Sequence, residues 1–220
     1  HFSSSQITRE EMQAALWVAH EAGKHLAVHA GGDAAIQLAV ELGVDTVEHG
    51  YSFSRETAER MAEAGTVLVP TLAVTAGEEY YLEMGAPQWH IDNMKLAAPV
   101  HQESVRTAIE CGVQVAVGTD LLPTDPSGGT IATVHEIELL VEAGLSPLKA
   151  IEAATSVPAA VNGVADRLGR IEEGMIADLI AAPEKPDVDV SSLRDIFFVM
   201  KEGHVARFDQ SGPVAPGNTD

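Results

Sequence analysis

Residues 24–50 read KHLAVHAGGDAAIQLAVELGVDTVEHG and predict a strand, a helix and a second strand. Residues 25–30 alternate polar and apolar side chains and then become small and apolar, which is typical of a buried strand. Residues 33–42 carry apolar side chains at helical spacing, and Gly43 ends that helix. Residues 44–49 form the second strand, so the stretch is predicted to be one βαβ unit of a parallel sheet.

Both predicted strands end in a histidine followed by small residues, His29 before Ala30 and His49 before Gly50. The C-terminal ends of neighbouring parallel strands lie side by side, so the two imidazoles are expected to converge. Neutral imidazole nitrogen is a favoured ligand of zinc-like ions, which makes this edge a candidate metal site. The alternative is that each histidine is a hydrogen-bonded polar residue near the core.

The same alternation of helices and strands continues along the chain. Further helices are predicted from Thr8, at residues 54–64 and 99–111, within 128–144, and at 146–154 and 155–161; further strands are predicted at residues 66–70 and 113–118. Residues 72–98 contain several aromatic side chains and are predicted to be an irregular loop, where a substrate lid would lie. This pattern predicts an α/β fold with parallel strands.

The character of the sequence changes after Gly163. Short strands are predicted within residues 169–182, with a turn at Glu173 and Gly174, and then at residues 194–201 and 204–207, separated by a turn at Glu202 and Gly203. We therefore expect an α/β body over residues 1–162, a small antiparallel unit over 163–210 and a frayed tail over 211–220.

Composition narrows the range of partners and compartments. The 220 residues include 33 acidic and 13 basic side chains, a net charge of −20, which argues against nucleic acid and anionic membranes as partners. The single cysteine, Cys111, excludes an internal disulfide and a cysteine-rich metal site and fits a cytoplasmic protein. No signal peptide pattern is visible. The chain begins at His1 within a loop-like sequence, so we expect further residues upstream.

Asp120 adds a carboxylate to the two histidines, because it directly follows the predicted strand 113–118. Two imidazoles and one carboxylate would leave a zinc-like ion with an open coordination position. A carboxylate at such a site can bind metal, and it can also take a proton from a metal-bound water.

Four segments together resemble the amidohydrolase superfamily: VHAGG (28–32), VEHG (47–50), VGTD (117–120) and GRIEEGMIADLI (169–180). The chain is most similar to the branch that holds imidazolonepropionase-like proteins and metal-dependent dipeptidases of prolidase type. This resemblance implies a TIM-type (β/α)8 barrel, of which the chain would supply strands five to eight, with a small β-sandwich segment at the C-terminus. Residues 1–162 would then be the partial barrel.

The resemblance also implies the roles of individual residues. His29, His49 and Asp120 would be the metal ligands from strands five, six and eight, with one or two divalent ions, zinc or another divalent metal. Asp120 would be the catalytic base that deprotonates the hydrolytic water and then protonates the leaving group. Tyr51 and His101 are candidate substrate-binding residues. Their alternative roles are packing for Tyr51 and fixing a loop for His101.

Two expected features of the family do not occur in these residues. The family has a His-x-His pair on strand one and, in its binuclear branch, a carboxylated lysine on strand four. A complete TIM barrel also takes about 250 residues. The chain is therefore expected to be the C-terminal part of a longer enzyme, a fragment whose metal site is incomplete.

The reaction expected from the resemblance is hydrolysis of a small amide or dipeptide by a metal-activated water. Adenosine-type deaminases carry His-Ala-Gly-Glu, whereas residues 29–32 are His-Ala-Gly-Gly, which favours amide hydrolysis over deamination. An imidazolonepropionase-like cyclic amidase or a deaminase is the rival enzyme. A catalytically inactive scaffold module is the alternative outside the enzymes, and a homo-oligomer is left open.

Overall fold

The computed structural model describes residues 6–121 and 131–209. In these ranges the helices are α1 (Arg9–Glu21), α2 (Asp33–Leu42), α3 (Arg55–Ala64), α4 (Leu72–Ala76), α5 (Glu78–Glu83), α6 (Gln88–Glu110), α7 (Ile131–Ala143), α8 (Pro147–Ala154) and α9 (Ser156–Val161), with a 3-10 helix, η1 (Val190–Asp195). The strands are β1 (Ala27–Gly32), β2 (Thr46–Ser52), β3 (Val67–Val69), β4 (Leu179–Ala181), β5 (Phe198–Lys201) and β6 (His204–Phe208). The predicted tail, residues 211–220, lies outside the described residues.

The first sheet is parallel and has the order β1-β2-β3, as the βαβ pattern predicted. The fourth predicted strand, at residues 113–118, is reduced to a parallel bridge between Leu68 and Val115. Leu68 donates to the carbonyl of Gln114 and accepts from Ala116, and the ladder stops there because the next residue due to donate, Pro70, has no N–H. The N–H of Val117 faces the opposite side and donates to the carbonyl of Ala153 at 2.8 Å, at the end of α8.

Three of the helices begin at a residue whose side chain caps the first turn. Thr8 and Glu11 form a capping box at α1, and the Ser54 and Ser146 hydroxyls accept backbone N–H groups at the starts of α3 and α8. The loop predicted over residues 72–98 is wrong, because α4, α5 and the first half of α6 lie there. Helix α6 continues through Pro99, and its buried residues Ile91 and Val105 lie on opposite sides of that proline.

The second sheet is antiparallel, with the order β4-β5-β6 and a turn at Glu202 and Gly203. Two details of the prediction are wrong. No strand forms at residues 169–178, and residues 194 and 195, the predicted start of the next strand, belong to η1 instead. The side chain of Asp189 caps η1, and Leu193 is buried against α7, which explains the local helical turn.

The main core lies between the parallel sheet and its helices. Fully buried members include Ile36, Val47, Leu68, Val105 and Leu140. An α/β body with a parallel sheet and an appended antiparallel sheet is therefore confirmed, while the assignment of strands to barrel positions and the domain limits stay predictions. No helix in the described ranges is long and apolar enough to cross a membrane.

Candidate functional site

The parallel sheet places His29 and His49 next to each other. In the register of β1 and β2, His29 pairs with Glu48 and Ala30 pairs with His49. The centroids of the two imidazole rings are 4.5 Å apart, and the rings meet edge to face at 68°. Both strands run three residues past their predicted ends at His29 and His49, to Gly32 and Ser52. His29 is exposed, whereas His49 is buried.

His49 is held by both its backbone and its ring. Its φ of 72° lies in the left-handed region, where non-glycine residues are strained. Its Nδ1 atom lies 2.8 Å from the hydroxyl oxygen of Thr71. Because Nδ1 is engaged, Nε2 is the ring nitrogen that a metal ion would use. Burial and the neighbouring His29 lower the pKa of His49, which favours the neutral form that binds metals.

Three non-glycine residues at or beside the candidate site have a left-handed backbone conformation. Four non-glycine residues in the described ranges have a positive φ, and three of them are His49, Thr71 and Asp120 at 72°, 55° and 52°. Such strain concentrates at functional sites because the surrounding structure must hold it in place. The strained positions therefore mark the same edge of the sheet as the predicted site residues.

Asp120 is exposed, and its negative charge affects the pKa values of His49 and Glu48. Its carboxylate opposes the lowering of the pKa of His49 and contributes to raising the pKa of Glu48. However, the described residues contain no group of three or more His, Cys, Asp or Glu side chains arranged to hold a metal ion. The structure thus brings His29 and His49 together without closing a three-ligand site around Asp120. Two imidazoles and a carboxylate still match the donors that zinc prefers.

Glu48, which the sequence analysis did not single out, lies beside this pair. Its Oε1 atom accepts a hydrogen bond of 2.6 Å from the hydroxyl of Thr46. Burial raises the pKa of Glu48, and the carboxylate of Asp120 adds to that rise. A signal for Glu48 was present, because it precedes His49 in the VEHG segment.

His101 contacts the backbone of His49. Its side chain is 0% exposed, its Nε2 atom lies 3.0 Å from the carbonyl oxygen of His49, and its Nδ1 atom lies 3.0 Å from the hydroxyl of Thr75. A carbonyl can only accept, so Nε2 carries the proton. The Thr75 hydroxyl also lies 3.1 Å from the carbonyl oxygen of Leu72, so its one proton is shared between that oxygen and Nδ1 of His101. Burial lowers the pKa of His101 to about 4, so the ring is neutral near pH 7. These contacts fix the backbone of His49; substrate binding by His101 stays a prediction.

Tyr51 connects the histidines to a groove. Its ring stacks on His49 with centroids 5.2 Å apart and meets His101 edge to face at 4.9 Å. Burial raises the pKa of Tyr51 to about 12, so the phenol keeps its proton. The groove has a volume of about 600 Å³ and is lined mainly by Tyr51, Trp89, His90, Met94, Leu96 and Val100. Substrate binding by Tyr51 also stays a prediction, and the groove gives it a location.

Glu136 is a second residue that the sequence analysis missed. It lies in α7, is 0% exposed, and accepts the backbone N–H of Leu72 at 2.9 Å and that of Ala73 at 2.7 Å. Its signal in the sequence is a glutamate between Val134 and Ile137, both of which are buried.

Comparison with known proteins places the chain in a family. The family model described as the amidohydrolase family matches residues 2–208. Ochratoxinase of Aspergillus niger is 30% identical over 220 residues, which cover 95% of this chain and 43% of that protein. Imidazolonepropionase of Rubrobacter xylanophilus is 28% identical over 184 residues, which cover 83% of this chain and 37% of that protein.

A solved structure agrees with these matches. The crystal structure of a Xaa-Pro dipeptidase with methionine bound in its active site superimposes with a TM-score of 0.82 at 33% identity, covering 93% of this chain and 50% of the other. The chain spans about half the length, or less, of these relatives. Since the family model covers nearly all of its residues, the chain belongs to the amidohydrolase family.

Proposed function

We propose that the whole protein containing this chain is a metal-dependent hydrolase of amide carbon–nitrogen bonds. The observation that carries this proposal is the pair of imidazoles, His29 and His49, which lie in adjacent parallel strands with their ring centroids 4.5 Å apart. The relatives support it, since they include ochratoxinase, imidazolonepropionase and a Xaa-Pro dipeptidase.

The residues that would hold the metal are His29 and His49, with Asp120 as a third ligand. A bound zinc-like ion supplies a polarising positive charge and lowers the pKa of a water to about 7. Asp120, exposed at the same edge, takes the proton of the attacking water and later gives it to the leaving nitrogen. Thr71 holds the ring of His49 through Nδ1, which fixes the direction of Nε2.

The groove beside Tyr51 suits the apolar part of a small substrate. Trp89, Met94 and Val100 supply apolar surface, and Tyr51 is shared between the groove and the stack on His49. We therefore propose as substrate an Xaa-Pro-like dipeptide or N-acyl amino acid whose apolar group lies in this groove. A cyclic amide, as for an imidazolonepropionase-like enzyme, is the rival substrate.

A hydrolysis assay on the intact protein tests this proposal. We expect zinc-loaded protein to hydrolyse at least one member of a panel of Xaa-Pro dipeptides, N-acyl amino acids and cyclic amides. Asp120→Asn is expected to lower kcat about 100-fold or more, because a general base typically contributes 10²–10⁴-fold.

Asp187→Asn is the matched control, since Asp187 is also an exposed aspartate but lies just before η1. It is expected to leave kcat unchanged. A folded, zinc-loaded protein that hydrolyses nothing in the panel would contradict the proposal and favour an inactive scaffold. Equal activity of the wild type and Asp120→Asn would remove Asp120 from the mechanism.

A further inference from the structure

Helix α4 starts without a side-chain cap of its own. Thr71 occupies the N-cap position, where a threonine hydroxyl usually accepts a backbone N–H of the first turn, but it makes no such bond. Its hydroxyl lies instead 2.8 Å from Nδ1 of His49. The free N–H groups at the start of α4 therefore need another acceptor.

Glu136 is that acceptor, and it comes from a distant part of the chain. Its Oε1 atom accepts the N–H of Leu72 at 2.9 Å, and its Oε2 atom accepts the N–H of Ala73 at 2.7 Å. Both donors directly follow Thr71. The two hydrogen bonds thus hold the backbone on which the Thr71 hydroxyl is placed, in a left-handed turn with φ of 55°.

The burial of Glu136 by itself destabilises the folded protein. Glu136 is 0% exposed, and burying a carboxylate is unfavourable, since it loses its hydration. Burial raises the pKa of Glu136 to about 7 against the opposing effect of the two N–H groups. An apolar side chain in the same space would avoid the buried carboxylate but would leave the buried N–H groups of Leu72 and Ala73 without this acceptor, so the contacts assign Glu136 to the start of α4.

We propose that Glu136 is a positioning residue: by capping α4 from α7, it releases the Thr71 hydroxyl to orient the imidazole of His49. The consequence for catalysis rests on the proposed function, whereas the link from Glu136 to His49 does not. Glu136 touches neither the imidazole pair nor the groove, and it acts through Thr71.

The test uses the intact protein with Glu136→Gln, which keeps the shape but turns one acceptor into a donor facing an N–H. Glu138→Gln is the matched control, because Glu138 lies on the same helix but pairs with Arg194. The first readout is the nitrogen NMR signal of the His49 ring in the metal-free protein, which reports its tautomer and hydrogen bonding. We expect Glu136→Gln and Thr71→Val to shift this signal alike, while Thr71→Ser and Glu138→Gln leave it unchanged.

The second readout is kcat/KM of the zinc-loaded protein in a double-mutant cycle. Outer partners of metal-binding histidines typically contribute 10–100-fold, so Glu136→Gln is expected to cost about 10-fold. Adding Thr71→Val to Glu136→Gln should lower kcat/KM little further, because the effects of two residues that act through one contact are not additive.

Several outcomes would overturn the proposal. One is a folded Glu136→Gln protein in which the nitrogen NMR signal of His49 does not shift. Another is a double variant, Glu136→Gln with Thr71→Val, in which the two losses of kcat/KM multiply. If Glu136→Gln does not fold, Glu136→Asp takes its place, because the shorter carboxylate cannot span both N–H groups; failure of both to fold would assign Glu136 to stability alone. An intact protein without hydrolase activity would refute the proposed function, while the NMR comparison would still decide the role of Glu136.

Discussion

At the scale of single residues, the site is built by side chains that are each held from outside their own strand. His49 is held through its carbonyl by His101 and through its ring by Thr71. Glu136 in turn holds the backbone after Thr71. The position of the His49 ring therefore depends on residues outside the imidazole pair.

The buried Glu136 predicts a specific pH dependence of stability. Burial raises its pKa from 4.5 to about 7, so between these values the folded state binds a proton that the unfolded state has lost. Its contribution is fully present below pH 4.5 and is lost as the pH rises through about 7. Glu136→Gln cannot titrate, so the free energy of unfolding of the wild type should fall relative to this variant by on the order of 3 kcal/mol.

Urea denaturation of both proteins at about pH 5 and about pH 8 measures this difference. Other titrating groups affect both proteins alike and cancel in the comparison. If the difference in the free energy of unfolding between the wild type and Glu136→Gln is the same at both pH values, the pKa of Glu136 is not raised.

At the scale of elements, local signals predicted most of the chain. Caps at Thr8, Ser54 and Ser146 and the stops at Gly43 and Gly65 were readable because caps and left-handed glycines act within one turn. Helix α6 was missed in its first half because Pro99 suggested a helix start. The fourth strand was overpredicted because the next residue opposite it is Pro70, which has no N–H to donate and is distant in sequence.

Pro99 leads to a prediction about α6. A proline inside a helix removes the N–H that would bond to the carbonyl four residues earlier, and its ring crowds that carbonyl. Pro99→Ala should therefore stabilise the protein by about 1 kcal/mol or more, which a thermal or urea unfolding curve would show.

The control for this change is Pro147→Ala, at the first position of α8, where proline is well tolerated. That substitution should be neutral or slightly destabilising. A loss of stability in Pro99→Ala would contradict this explanation and indicate that α6 needs its proline for a bend.

At the scale of the whole molecule, the site lies where a parallel sheet meets an apolar groove. The pairing of His29 and His49 was predictable, because they lie in the two parallel strands of one βαβ unit. The contacts of Glu136 with Leu72 and of Tyr51 with α6 were not, because they join residues far apart in sequence. Such contacts depend on the packing of several elements, which a local pattern does not contain.

The groove predicts that KM can be changed without changing kcat. Trp89→Ala should raise KM for substrates with a large apolar group several-fold and leave kcat nearly unchanged, because Trp89 lines the groove and is not one of the proposed metal ligands. Trp17→Ala is the matched control, since Trp17 and Trp89 are both 66% exposed and Trp17 lies on α1. Steady-state kinetics on an apolar and a small substrate measure the effect. Equal changes in both variants would exclude the groove as a substrate site.

The most direct test of the central claim is the zinc content of the intact protein, measured by elemental analysis after reconstitution and desalting. We expect about one to two equivalents in the wild type, most of which is lost in His29→Ala/His49→Ala. The exposed histidines of His20→Ala/His204→Ala serve as the control and should leave the zinc content unchanged. A folded wild type that retains no zinc, or a double variant at His29 and His49 that retains all of it, would contradict the assignment of this imidazole pair as metal ligands.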